Sequence, residues 1–88
     1  MDVRRLAGEN VRRYRLAAGL SQEQVAERMG VDRAYISGLE LGARNPTIIT
    51  LWHAAEALGV PVARLLDVPD KVPANVKPRK RAPKRIMK

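Results

Sequence analysis

The stretch from Ser21 to Leu41, SQEQVAERMGVDRAYISGLEL, constrains the fold of this chain more than any other. It predicts two short helices joined by a turn at Gly30. Ala26 in the first helix and Ile36 in the second lie where the two helices must cross closely. Two helices joined in this way form a helix-turn-helix, and the sequence predicts that motif as the centre of the fold.

Apolar residues recur at spacings of three and four along the first 66 residues, which predicts an all-α bundle of about five short helices. The first four are expected over 3–18, 21–29, 33–41 and 47–58, and a short fifth, with Pro61 near its first turn, runs through Leu65 and Leu66. The second and third form the helix-turn-helix. Ser21 with Gln24 predicts a capping box, and Asp32 predicts the N-cap of the third helix. The expected core comprises Leu6, Val11, Tyr14, Ala17 or Ala18, Val25, Ala26, Met29, Ile36, Leu39, Ile48, Leu51, Ala54 or Ala55, and Leu58.

The formal net charge of +8 is unevenly spread. Residues 1–66 carry nine Arg against seven acidic residues, a net +2, whereas residues 67–88 carry eight Lys or Arg against two Asp, a net +6. Prolines recur every four or five residues in the second segment, which predicts a disordered basic tail rather than a further helix. We therefore expect one domain over 1–66 and a tail over 67–88, with a polyanion such as nucleic acid as partner.

The composition argues against several other classes of protein. Cysteine is absent and His53 is the single histidine, so the chain offers no set of metal ligands and no thiol chemistry. No nucleophile–base pair or phosphate-binding glycine loop is present, which predicts that the protein is not an enzyme and uses no cofactor. No apolar run is long enough to span a membrane. We expect a cytoplasmic, nucleoid-associated protein without a small-molecule ligand.

A set of residues spread over positions 4–66 is similar to a known family. They are Arg15, the run Ser21 to Ala26, Gly30, Ser37, Leu39 and Glu40, Gly42, Asn45 and Pro46, Leu51, and Leu58 to Val60. At this spacing they resemble the helix-turn-helix domains of lambdoid phage repressors and Cro proteins, whose small members include restriction–modification controller proteins and antitoxin-type repressors. The resemblance implies that the third helix enters the DNA major groove and that Arg15 and Glu40 form a structural ion pair.

The third helix would then present four residues to the DNA bases: Arg33, Ala34, Ser37 and Gly38. Arg33 can donate two parallel hydrogen bonds to guanine, and Ala34 can touch a thymine methyl group. Ser37 either bonds a base or bonds a carbonyl one turn back. Gly38 either admits DNA close to the helix backbone or is a tolerated weak position. With so few long polar side chains, much of the preference must come from Arg33 and DNA shape.

A second set of residues is expected near the phosphates: Ser21, Gln22, Tyr35, Arg44 and Asn45. The amino end of the second helix offers free amides and a positive dipole end to a phosphate. The resemblance implies that Gln22 holds the DNA backbone and braces the recognition helix. Arg44 and Asn45 lie in the loop that follows, where they can hold the next phosphate. Tyr35 is either a phosphate or base contact or a structural residue.

The last two helices are expected to form a homodimer through Ile49, Trp52, His53, Val62, Leu65 and Leu66, although a local satellite core would explain the same residues. We predict a sequence-specific transcriptional regulator that binds a palindromic operator on double-stranded DNA, near its own promoter. Repression and activation through RNA polymerase both remain open. The alternatives are an antitoxin or adaptor that binds another protein, and a non-specific nucleic-acid binder that acts through its tail.

Overall fold

The computed structural model describes residues 1–68, which form four α-helices followed by a short 3-10 helix. They are α1 (Val3–Ala17), α2 (Gln22–Met29), α3 (Arg33–Glu40), α4 (Ile48–Leu58) and the 3-10 helix (Val62–Leu66). No strand occurs in this range, and the predicted all-α fold with a helix-turn-helix is confirmed. Residues 69–88 and the predictions made for them lie outside the described residues.

Local signals set the ends of α2. The Ser21 hydroxyl oxygen accepts a hydrogen bond from the Gln24 amide at 3.0 Å, and Gln24 Oε1 accepts one from the Ser21 amide at 2.8 Å. This is the predicted capping box. The helix ends at Gly30, whose φ of 73° is left-handed, a conformation that glycine adopts without steric cost. The turn into α3 therefore follows from the local sequence.

The structure adds detail to two other predictions, those for the start of α3 and for the last helix. Asp32 occupies the N-cap position of α3 as expected, but its side chain accepts no capping hydrogen bond. The short fifth helix expected at the end of the domain is present, and it is a 3-10 helix. Only five residues separate Pro61 from the extended residue Asp67, and such short segments favour the tighter winding.

The hydrophobic core lies where the four α-helices and the 3-10 helix meet. Its fully buried apolar side chains include those of Val11, Val25, Ile36, Leu39 and Leu65. Ile48, by contrast, is 80% exposed, so the prediction that it is buried is wrong. Ile48 is the first residue of α4, and Leu51, one turn later, is where this helix reaches the core. Ala17 and Ala18, at the end of α1, are also exposed rather than buried.

α1 crosses the carboxyl end of α3 at very short range. A Cβ atom at Gly8 would overlap the carbonyl oxygen of Leu39 and lie 2.9 Å from the carbonyl oxygen of Glu40. Gly42, with a φ of 79°, lies similarly close to Arg5, whose Cα would stand 3.1 Å from an added Cβ. The two segments thus pack backbone against backbone, which fixes the end of α3 relative to α1.

Asn10 is a buried polar residue that ties α1 to the end of the described chain. Its Nδ2 donates to the carbonyl oxygens of Leu65 and Asp67, each at 2.9 Å. Its Oδ1 has no partner among the described residues. Because Asp67 is bonded to α1, the fold holds the chain one residue beyond the domain boundary expected at 66.

Candidate nucleic-acid interface

α3 turns one side to the core and the other to solvent. Ile36 and Leu39 are buried beneath it, while Arg33 is exposed. Of the four residues predicted to contact bases, Arg33 and Ala34 are exposed, whereas Ser37 and Gly38 are partly buried. Arg33 alone among them has a long polar side chain. The outer side of α3 is therefore accessible to a ligand, and its hydrogen-bonding capacity is concentrated at the amino end of the helix.

A buried ion pair lies beneath this surface, between Arg15 of α1 and Glu40 of α3. Arg15 Nε donates to Glu40 Oε2 at 2.6 Å, and Arg15 Nη2 donates to Glu40 Oε1 at 3.1 Å. The two side chains are only 10% and 4% exposed. Arg15 Nη1 also donates to the carbonyl oxygen of Leu20 at 2.9 Å. The pair implied by the resemblance is thus present, and it joins α1, the segment before α2, and α3.

Gln22 connects this ion pair to the outer side of α3. Its Nε2 donates to Glu40 Oε1 at 3.0 Å, and its Oε1 accepts a hydrogen bond from Arg33 Nη1 at 3.2 Å. Gln22 is half-buried, whereas Arg33 is exposed. A single side-chain amide therefore links the predicted base-reading arginine to the buried charges. These two bonds are a structural basis for the bracing of α3 that the resemblance implies.

Gly38 leaves room for Arg44, which enters from the loop after α3. A Cβ atom at Gly38 would lie 3.0 Å from Arg44 Nε and 3.2 Å from Arg44 Cγ. The Arg44 guanidinium carbon stands 5.2 Å from the centre of the Tyr35 ring, within the range of a cation–π contact. Sequence reasoning missed this arrangement. The signal that could have found it was the glycine itself, which is unfavourable in a helix.

The amino end of α2 offers backbone amides beside α3. The amide and hydroxyl of Ser21 are both used in the capping box, so the first amides without a helix partner belong to Gln22 and Glu23. An open hollow of about 470 Å³ borders α2, and its charged lining consists of Glu23, Glu27, Asp32 and Arg33. The three carboxylates outnumber the single guanidinium and would repel a phosphate from the hollow, whereas the free amides of α2 would attract one. The Gln22 edge is therefore the side of α2 suited to an anion.

A second exposed surface, on α4, carries large apolar side chains. Ile48, Ile49 and Trp52 are 80%, 65% and 52% exposed. His53 lies beside them and is also exposed, with Nδ1 3.9 Å from Glu56 Oε1. We call Ile48, Ile49, Trp52 and His53 the α4 surface. It includes three of the residues predicted to form a dimer, and it adds Ile48.

The other predicted dimer residues lie in the 3-10 helix and differ in burial. Leu65 is fully buried in the core of the protomer, so its assignment to a dimer interface is wrong. Val62 is partly buried against the same core. Leu66 is 45% exposed and remains accessible to a partner. The sequence showed more apolar residues than one small core seemed to need, but it did not show which of them the core covers.

Residues 1–68 carry neither a metal-binding cluster nor a membrane-spanning helix. No three of the His, Asp and Glu side chains in that range are grouped so that they could hold a metal ion. None of the helices there is long and apolar enough to cross a membrane. The outer side of α3 and the edge of α2 provide hydrogen-bond donors and positive charge, the chemistry that phosphates and base edges require.

Comparison with known proteins identifies relatives of this structure. A family model described as helix-turn-helix matches residues 11–65. An uncharacterized HTH-type transcriptional regulator, y4dJ of Sinorhizobium fredii, is 48% identical over 73 residues, which cover 83% of this chain and 95% of that protein. The control protein C.SmaI of Serratia marcescens is 47% identical over 66 residues, covering 75% and 79%. The crystal structure of the restriction–modification controller protein C.AhdI from Aeromonas hydrophila superimposes with a TM-score of 0.68 at 37% identity, covering 70% and 90%.

Replacing Glu40 by alanine should lower the free energy of unfolding by about 3–5 kcal/mol, because the buried Arg15 charge loses its partner. Urea unfolding followed by circular dichroism measures this change. Glu9→Ala, at an exposed position of α1, is the matched control and should change stability by less than about 0.5 kcal/mol. A Glu40→Ala protein as stable as the wild type would show that the pair does not stabilise the fold.

Proposed function

Because the chain belongs to the helix-turn-helix family that its residues 11–65 match, we propose that it is a sequence-specific transcriptional regulator that binds a palindromic operator as a homodimer. Members of this family are DNA-binding regulators and not enzymes. The observation that carries the proposal is the outer side of α3, where Arg33 is exposed and bonded to Gln22. The operator would lie near the promoter of the protein's own gene, so that the protein regulates its own synthesis.

Direct recognition of the bases would come from α3 in the major groove. The guanidinium of Arg33 matches the two acceptors of guanine, O6 and N7, and such a contact discriminates by about 1–3 kcal/mol. Ala34 would contact a thymine methyl group and Ser37 a base edge. Gly38 supplies no side chain to a base, and its position against Arg44 supports a packing role. Because α3 would make so few direct base contacts, sequence-dependent DNA shape would supply the rest of the sequence preference.

Phosphate contacts would set the register of the protein on the duplex. The backbone amides of Gln22 and Glu23 would hold one phosphate at the amino end of α2. Arg44 and Asn45 would hold the next, and both are exposed. The stacking of Arg44 on Tyr35 supports this role because it keeps the guanidinium close to α3. Tyr35 would then act mainly as a support for Arg44.

The α4 surface would be covered by a second copy of the chain. Large apolar side chains grouped on one exposed surface are typical of protein interfaces, and Ile49, Trp52 and His53 of this surface were also predicted from the sequence. A two-fold axis through this surface would repeat α3 on the same side of the DNA. Half-sites one helical turn apart require the two recognition helices to be separated by about 34 Å. Leu66 would border the contact.

The effect on transcription would depend on where the operator lies. A dimer that covers the promoter would exclude RNA polymerase and repress, whereas a dimer bound beside it can contact polymerase and activate. Either mode takes place in the cytoplasm, on the DNA. An antitoxin or adaptor role is the second candidate, and the α4 surface favours it because a different protein could cover the same apolar side chains. Copurification with an equimolar partner would identify that role.

Selection of bound sequences from a random DNA pool should enrich a palindrome with a guanine in each half-site. Arg33→Ala should then weaken binding to the selected site by roughly 5- to 150-fold and remove the preference for that guanine. Arg44→Ala is the matched control: it should weaken binding to all sequences alike, because phosphate contacts carry no base preference. If no sequence is enriched and random DNA binds equally well, the protein is a non-specific binder.

The protein should sediment as a dimer at micromolar concentration in analytical ultracentrifugation. Ile49→Glu should convert it to a monomer, because a carboxylate would be buried without a partner in the apolar contact. Leu16→Glu, at an exposed apolar residue of α1, is the matched control and should leave the dimer intact. A wild-type monomer, both with and without operator, would rule out the dimer.

Removing residues 69–88 should flatten the dependence of log affinity on log salt, by about 0.9 for each phosphate that the segment neutralises. This truncation deletes all eight Lys and Arg residues of the basic segment but keeps Asp67, which the fold holds through Asn10. A full-length variant with these basic residues replaced by glutamine should behave like the truncation. The selected palindrome should stay the same. An unchanged salt dependence would show that the segment does not contact DNA.

A further inference from the structure

Two glycines at the carboxyl end of α3 each leave room for an arginine from another segment. A Cβ atom at Gly38 would lie 3.0 Å from Arg44 Nε, and one at Gly42 would lie 2.7 Å from Arg5 Cγ. The Ala43 amide donates to the Gly38 carbonyl oxygen at 2.9 Å, so the backbone at Gly42 still follows the last turn of the helix. Gly42 comes four residues after Gly38, which places the two on neighbouring turns of one side of α3. Arg44 and Arg5 therefore pack against that side one turn apart.

Arg5 is the arginine at the amino end of α1 whose charge the described part of the fold does not use. Its neighbour Arg4 pairs with Asp2, with Nη2 3.2 Å from Oδ2. The Arg5 side chain is exposed, and among residues 1–68 it forms no ion pair. Its apolar stem rests on Gly42, so the stem is held in place while the guanidinium stays in solvent.

The loop proposed to hold a phosphate starts at the point where Arg5 crosses Gly42. Gly42 leads directly into Ala43, Arg44 and Asn45, all of which are exposed. Arg44, like Arg5, has no carboxylate partner among residues 1–68. Two such guanidiniums on neighbouring turns match a row of anions better than a single anion. A DNA strand provides such a row, with one phosphate for about every 3.4 Å of helix axis.

We propose that Arg5 is a further phosphate contact, which brings α1 into the DNA interface and binds the phosphate next to the one held by Arg44 on the same strand. The inference rests on the proposed function, to which it adds a residue of the first helix. Because the stem of Arg5 already packs on Gly42, little rotamer freedom is lost when the guanidinium binds. Phosphate contacts carry no base preference, so Arg5 would increase the affinity and its salt dependence without changing the selected sequence.

Arg5→Gln tests the contact because it keeps the stem that packs on Gly42 and removes the charge. Affinities for the selected palindrome are measured by fluorescence anisotropy over a range of salt concentrations. Arg5→Gln should flatten the dependence of log affinity on log salt by about 0.9 for each bound protomer. Arg5→Lys, which restores the charge, should keep the wild-type dependence.

The matched control is Arg13→Gln, which removes the same charge from another exposed position of α1. Arg13 lies about 140° around the helix from Gly8, the residue whose Cβ position meets the backbone of α3. This variant should therefore keep the wild-type salt dependence. An equal flattening in Arg5→Gln and Arg13→Gln would assign the effect to net charge and overturn the inference.

A scan of the operator backbone locates the contact. Each duplex carries the selected palindrome with one phosphate replaced by an uncharged methylphosphonate, and a loss of affinity marks a phosphate that the protein uses. At one phosphate a loss of roughly three- to tenfold should disappear in Arg5→Gln and persist in Arg44→Gln. At the neighbouring phosphate of the same strand the two variants should behave the other way round. The inference is overturned if no phosphate depends on Arg5, or if the one that does is not next to the Arg44 phosphate.

The remaining outcomes separate this inference from the proposed function. If the wild-type protein selects no sequence from a random pool, the sequence-specific function fails, and the salt dependence of Arg5→Gln on a random duplex still decides whether Arg5 contacts phosphate. If a palindrome is selected but Arg5→Gln keeps the wild-type salt dependence on it, the function stands and the inference is overturned. Thermal melting confirms that each variant is folded.

Discussion

The ion pair between Arg15 and Glu40 is the interaction on which both the fold and the site depend. Taking two charges out of water is costly, and only good geometry with further hydrogen bonds offsets that cost. Here the pair makes two parallel bonds, a third bond goes to the carbonyl oxygen of Leu20, and a fourth comes from Gln22. Because these partners belong to different segments, a shift of α1 would disturb the amino end of α2 and the carboxyl end of α3 together.

The parts of the fold that could be predicted from sequence are those that depend on near neighbours. The capping box of Ser21 and Gln24 and the turn at Gly30 involve residues a few positions apart, so their signals are local. The prediction for Ile48 is wrong because periodicity identifies the apolar side of a helix but not the point at which that side meets the rest of the core. The prediction for Leu65 is wrong because a count of apolar residues does not show which of them the core covers. The contact at Gly8 was missed for a related reason, since it depends on how closely two distant helices approach.

In the candidate site, too, the residues that depend on local sequence could be predicted, and the contacts between distant residues could not. The exposure of Arg33 and Ala34 could be predicted from the helix that begins after Asp32. The Arg15–Glu40 pair was implied by the family resemblance and not by residue spacing. The contact between Gln22 and Arg33 spans eleven positions and needs both the turn and the helix crossing to form. The packing of Arg44 on Tyr35 depends on the path of a loop, which no periodic pattern determines. Three-dimensional structure therefore supplies the connections among residues that sequence could identify singly.

The two hydrogen bonds of Asn10 have a consequence for the segment that follows residue 68. They hold the backbone at Leu65 and Asp67, so the twenty remaining residues start from a fixed point on the domain. A chain of that length reaches at most about 70 Å, and groups tethered over such distances act at effective concentrations in the millimolar range. If the basic residues contact DNA as proposed, they would meet phosphates beside the domain as parts of the same molecule, at a local concentration that dilution of the protein cannot lower.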